Sequence, residues 1–223
     1  MSESKPVGTP VELGTQLRRN KKVSSEIKAL PYRELVGALM YLSVCTRPDI
    51  AHVISYLSQF NCYSSIIGRR LNAKTSDPLI GFADADWANC VDDRKSYTGY
   101  AFVFGGCPIS WESRKQKTTV LSSMEAEYMA LSEATKEAVH LRSLLSELGF
   151  PYPKIKLWSD NCGAIKLAEN PVFHNRSKHI DVRHHFVREM LEIGVIDIDH
   201  RPTEYMAADV LTKGLSGPKH RKC

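Results

Sequence analysis

The run LIGFADADWA at residues 79–88 sets two carboxylates, Asp84 and Asp86, inside an otherwise apolar stretch. A strand covered on both faces needs apolar residues at odd and even positions alike, so the run reads as a buried central strand. Residues two apart on a strand project from one face, and a buried carboxylate must be neutralised, hydrogen-bonded or bound to a cation. The alternative is a strand end at which both acids meet water or shape a turn.

Three more acids lie where chemistry tends to gather. Glu127 in SSMEAEYMAL falls on the helical stripe of Leu131, Ala134, Ala138, Leu141 and Leu145, whereas Glu125, Glu133 and Glu137 read as a solvated face. Its place near the helix start gives Glu127 an alternative in water, favoured by the helix dipole. Asp160 ends the apolar run IKLWS and precedes a helix, so it is either an acid at the carboxyl end of a sheet strand or a helix N-cap. Asp209, in YMAADVLTK, falls on a short predicted helix where an exposed acid is the ordinary alternative. His200 precedes it across a loop, and a lone histidine is more often a surface or hydrogen-bonded residue than a catalyst.

Together Asp84, Glu127, Asp160 and Asp209 make a set of carboxylates that would repel itself unless divalent cations occupied it. Mg²⁺ suits such a set, because it is a hard cation that takes carboxylate oxygens and keeps waters that a substrate phosphate can displace. Two such ions about 4 Å apart activate water and stabilise the leaving oxygen in phosphodiester hydrolysis. The chemistry expected from these residues is metal-dependent cleavage of nucleic acid.

The elements that must position the acids follow from pattern. After the opening strand, VDDRKS is a polar turn, and TGYAFVFGGCPISWES reads as a hairpin turning at Gly105–Gly106, since adjacent glycines supply positive φ. Residues 122–148 form a long helix, capped by Ser122 or Ser123 and closed by Gly149 and Pro151. A strand at IKLWS, a helix at NCGAIKLAEN, a helix at SKHIDVRHHFVREMLEIG, a strand at VIDID and a helix at TEYMAADVLTKG complete a mixed α/β sheet. Upstream, YRELVGALMYLSV and IAHVISYLSQF read as two short helices, the second behind a cap at Asp49. Residues 61–77 mix turn and basic residues without a sustained period and read as a linker.

Composition sets the outer bounds. With 223 residues, 43% hydrophobic and 25% charged, the chain can bury a core and is neither a disordered polymer nor a membrane span. A formal net charge of +5 permits a polyanionic partner without requiring one. The cysteines are scattered with no CxxC pair, which argues against zinc and for a reducing intracellular setting. The opening residues carry no secretory pattern, and no apolar run approaches the roughly 20 residues that span a bilayer, so a soluble protein with no membrane partner is expected.

FADADWA, DRKSYTGYAF, ISWESRKQ, SSMEAEYMAL, LWSDN, KHIDVRHHF and MAADVLTK, in this order, closely resemble the ribonuclease H domain of copia-type LTR retrotransposon polyproteins. The resemblance covers about residues 79–215. It implies a ribonuclease H-like mixed five-stranded sheet with flanking helices, and hydrolysis of the RNA strand of RNA–DNA hybrids with two Mg²⁺ ions, for which Mn²⁺ substitutes. It places Asp84, Glu127, Asp160 and Asp209 as metal ligands and His200 as the flexible histidine that assists proton transfer or product release. KPVGTPVELG and YRELVGALMYLSVCTRPDIAHVISYLSQF resemble the closing part of the reverse transcriptase of the same elements, without its aspartate pair, so no DNA synthesis is expected. The implied organisation is a reverse transcriptase remnant at 1–60, a shortened connection at 61–77, the ribonuclease H domain at 78–216 and a basic tail at 217–223. The rest of a retrotransposon polymerase is a possible partner.

Arg114, Lys115, Lys117, Lys178, Arg183 and Arg188 are the basic residues placed to meet hybrid phosphates, with solvated surface charge as the alternative for each. Discrimination against duplex DNA would come from 2′-hydroxyl contacts and groove shape. The competing functional readings are a noncatalytic nucleic-acid-binding relic or host-adopted fragment, and an integrase-like nuclease, which the position of the glutamate disfavours.

Overall fold

The computed structural model describes residues 9–10, 32–58, 79–149, 151–170, 181–221 and 223. Lys178 and residues 61–77, expected as a phosphate contact and a shortened connection, lie outside these. Helices α1 (Tyr32–Cys45) and α2 (Ala51–Ser58) are joined by a 3₁₀ turn at Pro48–Ile50. Asp49 does not act as the expected cap, because Arg47 holds its carboxylate through two hydrogen bonds of 2.7 Å. Then follow β1 (Leu79–Ala85), β2 (Tyr97–Phe104), β3 (Cys107–Lys115), α3 (Ser123–Glu147), β4 (Ile155–Ser159), α4 (Cys162–Glu169), α5 (Asp181–Glu192) and β5 (Ile196–His200). Two further 3₁₀ turns, Thr203–Tyr205 and Ala207–Leu211, lead to a short α6 (Gly217–His220).

The sheet order is β3-β2-β1-β4-β5. β1 pairs antiparallel with β2 and parallel with β4, and β4 pairs parallel with β5. This is the ribonuclease H-like mixed five-stranded sheet with flanking helices that the motifs imply. The hairpin turns where expected, with φ of 56° at Gly105 and 74° at Gly106. α3 crosses from β3 over the sheet to β4, so the order in which strands are added reverses between the parallel strands β1 and β4, and both strands end at that crevice, the usual place for a site on an open α/β sheet.

β1 is covered on both faces, as its unbroken apolar pattern requires. One face packs Ala83, Phe102, Leu157 and Ile196 against Leu131, Ala134, Ala138 and Leu141 of α3, each at most 6% exposed. The other face carries the 3₁₀ turns, with Phe82 against Met206 and Ala208, and Ala101 against Val210, Leu211, Leu215 and Ala51 of α2. No helix among the described residues is long and apolar enough to cross a membrane.

The expected terminal helix at TEYMAADVLTKG is a correction. That segment forms the two 3₁₀ turns, because Met206, Ala208, Val210 and Leu211 must all meet the sheet, in two different clusters. A single helical stripe cannot do so in so few residues.

Candidate metal centre

Asp84, Asp160 and Asp209 converge, each offering a carboxylate oxygen within 4.8 Å of the others. Asp84 comes from the end of β1, Asp160 from the residue after β4, and Asp209 from the second 3₁₀ turn. Asp84 and Asp209 are fully buried. Asp160 is not the cap of α4: Asn161 takes that role, its side chain accepting the Ala164 N–H at 3.0 Å. The Asp160 carboxylate is left facing the cluster, where Thr203 donates to it at 2.6 Å.

Glu127 reaches the same crevice from the first turns of α3 and accepts the Ala85 N–H at 3.1 Å. It stands beside the three converging oxygens rather than among them. Burial raises its pKa, and Asp84 and then Asp160 add to the effect. Asp84 is raised for the same first reason, burial, which outweighs the opposing pull of Lys213. His200 ends β5, is exposed, and lies opposite Ser159, one residue before Asp160.

Two lysines, neither singled out by sequence pattern, face the acids. Lys213 Nζ lies 3.3 Å from Asp84 Oδ1 and 2.7 Å from Asp209 Oδ1. Burial would lower the Lys213 pKa, but the Asp84 and Asp209 charges more than offset it and the net shift is upward. Lys219 on α6 pairs with Asp209 Oδ2, and the Thr212 hydroxyl donates to Asp84 Oδ2. The i to i+4 spacing of Asp209 and Lys213 was the available signal, but such a pair usually marks a solvated helix face.

The residues fit a hard divalent cation. Asp209 Oδ1 is buried against Lys213 Nζ at 2.7 Å, so a cation there would share this oxygen with the ammonium group or displace it. Oxygens on one octahedral Mg²⁺ stand about 3 Å apart when adjacent and about 4.2 Å when opposite, so carboxylates within 4.8 Å of one another come within reach of a single ion by side-chain adjustment. All the donors are oxygens, which suits Mg²⁺ or Mn²⁺ and not a thiophilic metal.

Asp86 is buried beside this site but serves the strands. Its Oδ1 accepts the Tyr97 N–H, its own N–H bonds Tyr97 O at 3.1 Å, and its Oδ2 has no partner. Burial pushes its pKa up to about 7. A carboxyl group raised on folding makes the folded state bind more protons, so its penalty grows as pH rises from about 4 towards 7. Asp86→Asn keeps the acceptor and removes the charge. In chelator, denaturant titration should find it equal to the unaltered protein at pH 4 and more stable at pH 8, by up to about 4 kcal/mol. Equal stability at both pH values would contradict the assignment.

The basic residues divide. Arg114, Lys117 and Arg183 line one cleft of about 550 Å³ with Lys136, all around Glu133. Glu133 is thus not the solvated acid expected: Arg183, Arg114 and Lys136 all pair with it. Burial would raise its pKa, but Arg183 and Lys136 hold it below the usual range. Lys115 is not in the cleft and pairs with Asp93 at 2.9 Å. Arg188 donates to Leu167 O at 3.5 Å. Glu125 is also buried rather than solvated. It accepts the Leu121 N–H at 2.8 Å, one residue before the helix cap, while the Ser122 hydroxyl at the cap accepts its own N–H.

No family model matches the chain. Over its whole length it is 39% identical to the retrovirus-related Pol polyprotein from transposon TNT 1-94 of Nicotiana tabacum, covering 18% of that protein. Over 97% of its length it is 37% identical to the corresponding polyprotein from transposon RE2 of Arabidopsis thaliana, covering 16% of it. Among solved structures, RNase H1 from the archaeon Halobacterium salinarum superposes with a TM-score of 0.44 at 18% identity, over 60% of this chain and 94% of that one. The chain thus spans less than a fifth of either polyprotein.

Proposed function

This chain belongs to the retrovirus-related Pol polyproteins of copia-type transposons and carries their ribonuclease H-like domain, and on that premise we propose that it hydrolyses the RNA strand of RNA–DNA hybrids with divalent metal ions. The observation that carries this reading is the convergence of Asp84, Asp160 and Asp209 at the crevice between β1 and β4, with Glu127 alongside.

Asp84, Asp160 and Asp209 would hold the metal, and Glu127, fixed by the Ala85 N–H, would orient water at its edge. Divalent ions bound there would supply activation of a water at neutral pH and stabilisation of charge on the leaving oxygen. The chain's own residues do the remaining work. Thr212 and Thr203 fix the rotamers of Asp84 and Asp160, the kind of support that orients metal ligands. Lys213 neutralises part of the acidic charge that would otherwise repel a phosphodiester. His200, exposed at the rim, is free to exchange a proton with product.

The cleft of Arg114, Lys117, Lys136 and Arg183 lies at the same end of the sheet, since Ala85, Thr98 and Arg114 stand in register across three strands. It supports a path for the hybrid's backbone. A phosphate contact there releases counterions, so Lys117→Ala should flatten the slope of log affinity against log salt by about 1. An unchanged slope would place the backbone elsewhere.

The direct test is cleavage of a labelled RNA strand in a hybrid, with and without Mg²⁺, by the whole chain. Metal-dependent cleavage is expected. A folded protein that binds the hybrid and leaves it intact would assign the noncatalytic binding role instead.

A further inference from the structure

The segment at 32–58, read from sequence as a remnant, is built into the nuclease domain. The Trp111 indole on β3 donates to the Ser43 carbonyl of α1 at 2.8 Å. Ala51 of α2 packs with Val210 and Leu211, which belong to the 3₁₀ turn that carries Asp209. His52 is 5% exposed, sits edge-on to Tyr97 with ring centroids 5.1 Å apart, and hydrogen-bonds the Leu211 carbonyl.

That carbonyl is a specific liability. A five-residue 3₁₀ turn satisfies few of its own groups, and its terminal carbonyls need outside donors. Leu211 is fully buried, so water cannot serve, and an unpaired buried carbonyl is costly. Burial lowers the His52 pKa to about 4, which leaves the ring neutral with one N–H near pH 7. Its Nδ1 has no partner, so the proton belongs on Nε2, towards Leu211. From the other side, His220 of α6 meets the Asp49 carbonyl at 3.2 Å, and its neighbour Lys219 pairs with Asp209. Both the turn and the second cation on Asp209 therefore lean on the α1–α2 unit.

We propose that α1 and α2 brace the metal centre, with His52 as a positioning residue that caps the Asp209 turn through the Leu211 carbonyl. The inference rests on the reading of Asp209 as a metal ligand. The reverse transcriptase-like helices would then set the affinity of the nuclease centre for its ions, coupling two parts of the polyprotein through one hydrogen bond and one packed cluster.

The test is Mn²⁺ affinity of the whole chain, by calorimetry or by the paramagnetic signal of free Mn²⁺, together with thermal unfolding. His52→Ala should weaken Mn²⁺ binding about 10- to 100-fold, the usual cost of losing support behind a ligand. His52→Gln, whose amide reaches as far as Nε2, should recover most of it. Leu145→Ala, in the core at the far end of α3, should lower Tm without changing Mn²⁺ affinity. If His52→Ala fails to fold, Trp111→Phe, which loses the hydrogen bond to Ser43 of α1 and keeps an aromatic ring against Val210 and Leu211, should weaken Mn²⁺ binding several-fold. Unaltered protein that binds no Mn²⁺ overturns the metal-centre reading itself. Unaltered protein that binds Mn²⁺ while the His52 variants bind equally well, or weaken only in step with Leu145→Ala, overturns the brace alone.

Discussion

Asp84→Asn should leave a folded protein that cleaves an RNA–DNA hybrid at least about 10³-fold more slowly at saturating Mg²⁺. Metal ions contribute several kcal/mol of charge stabilisation, and each 1.36 kcal/mol is a factor of ten in rate. Asp84 converges with Asp160 and Asp209, and its charge acts on Glu127 as well. The amide keeps an oxygen for the Thr212 hydroxyl, so local packing survives. It also removes a charge that burial penalises, so in chelator the variant should be at least as stable as the unaltered protein. Unaltered protein should gain Tm on adding Mg²⁺, and the variant should gain much less. Single-turnover cleavage with parallel thermal melts reads both quantities. A rate loss under tenfold would remove Asp84 from the metal set.

Gly99→Ala should damage the centre from behind. Gly99 faces the Asp209 turn, and a Cβ there would lie 2.7 Å from Leu211 Cβ, 2.8 Å from Thr212 Cγ2 and 3.2 Å from the Leu211 carbonyl carbon. The last is backbone, on a fully buried residue, and cannot swing aside. Either β2 or the turn must move. Overpacking of this kind costs about 1–3 kcal/mol, which lowers Tm by at least about 2 °C in a chain of this size. Moving the turn displaces Asp209, Thr212 and Lys213 together, so metal-dependent cleavage should fall more than tenfold well below the melting range. Gly106→Ala supplies the contrast. At the hairpin tip nothing lies within 4 Å of the added methyl, so only the positive φ is strained and cleavage should be unaffected. Equal activity in the two variants would mean that the turn tolerates displacement.

The strongly periodic parts of the fold were legible. The unbroken apolar run of β1, the glycine pair of the hairpin and the stripe on α3 each have one good structural solution, and they place Asp84, Glu127 and Asp160 at one crevice. Asp209 was identified, but its element was not, because MAADVLTK fits a helix locally and only the sheet demands that its apolar residues spread over two clusters. Glu133 and Lys213 were missed for a shared reason: a charge that serves as a hub for distant partners looks, in one dimension, like any solvated charge. The role of His52 was equally hidden. It depends on a carbonyl at position 211, and nothing in the local pattern of α2 announces that need.

The hydroxyl that holds Asp84 belongs to a residue 128 positions further along the chain. Contacts of such separation form late, because the loop between them must close before they repay its entropy. During synthesis β1 leaves the ribosome long before the turn that completes its acidic crevice. On the proposed reading, cleavage would therefore be withheld from any chain that ends before Asp209, since it would carry all five strands but lack the third of the converging carboxylates.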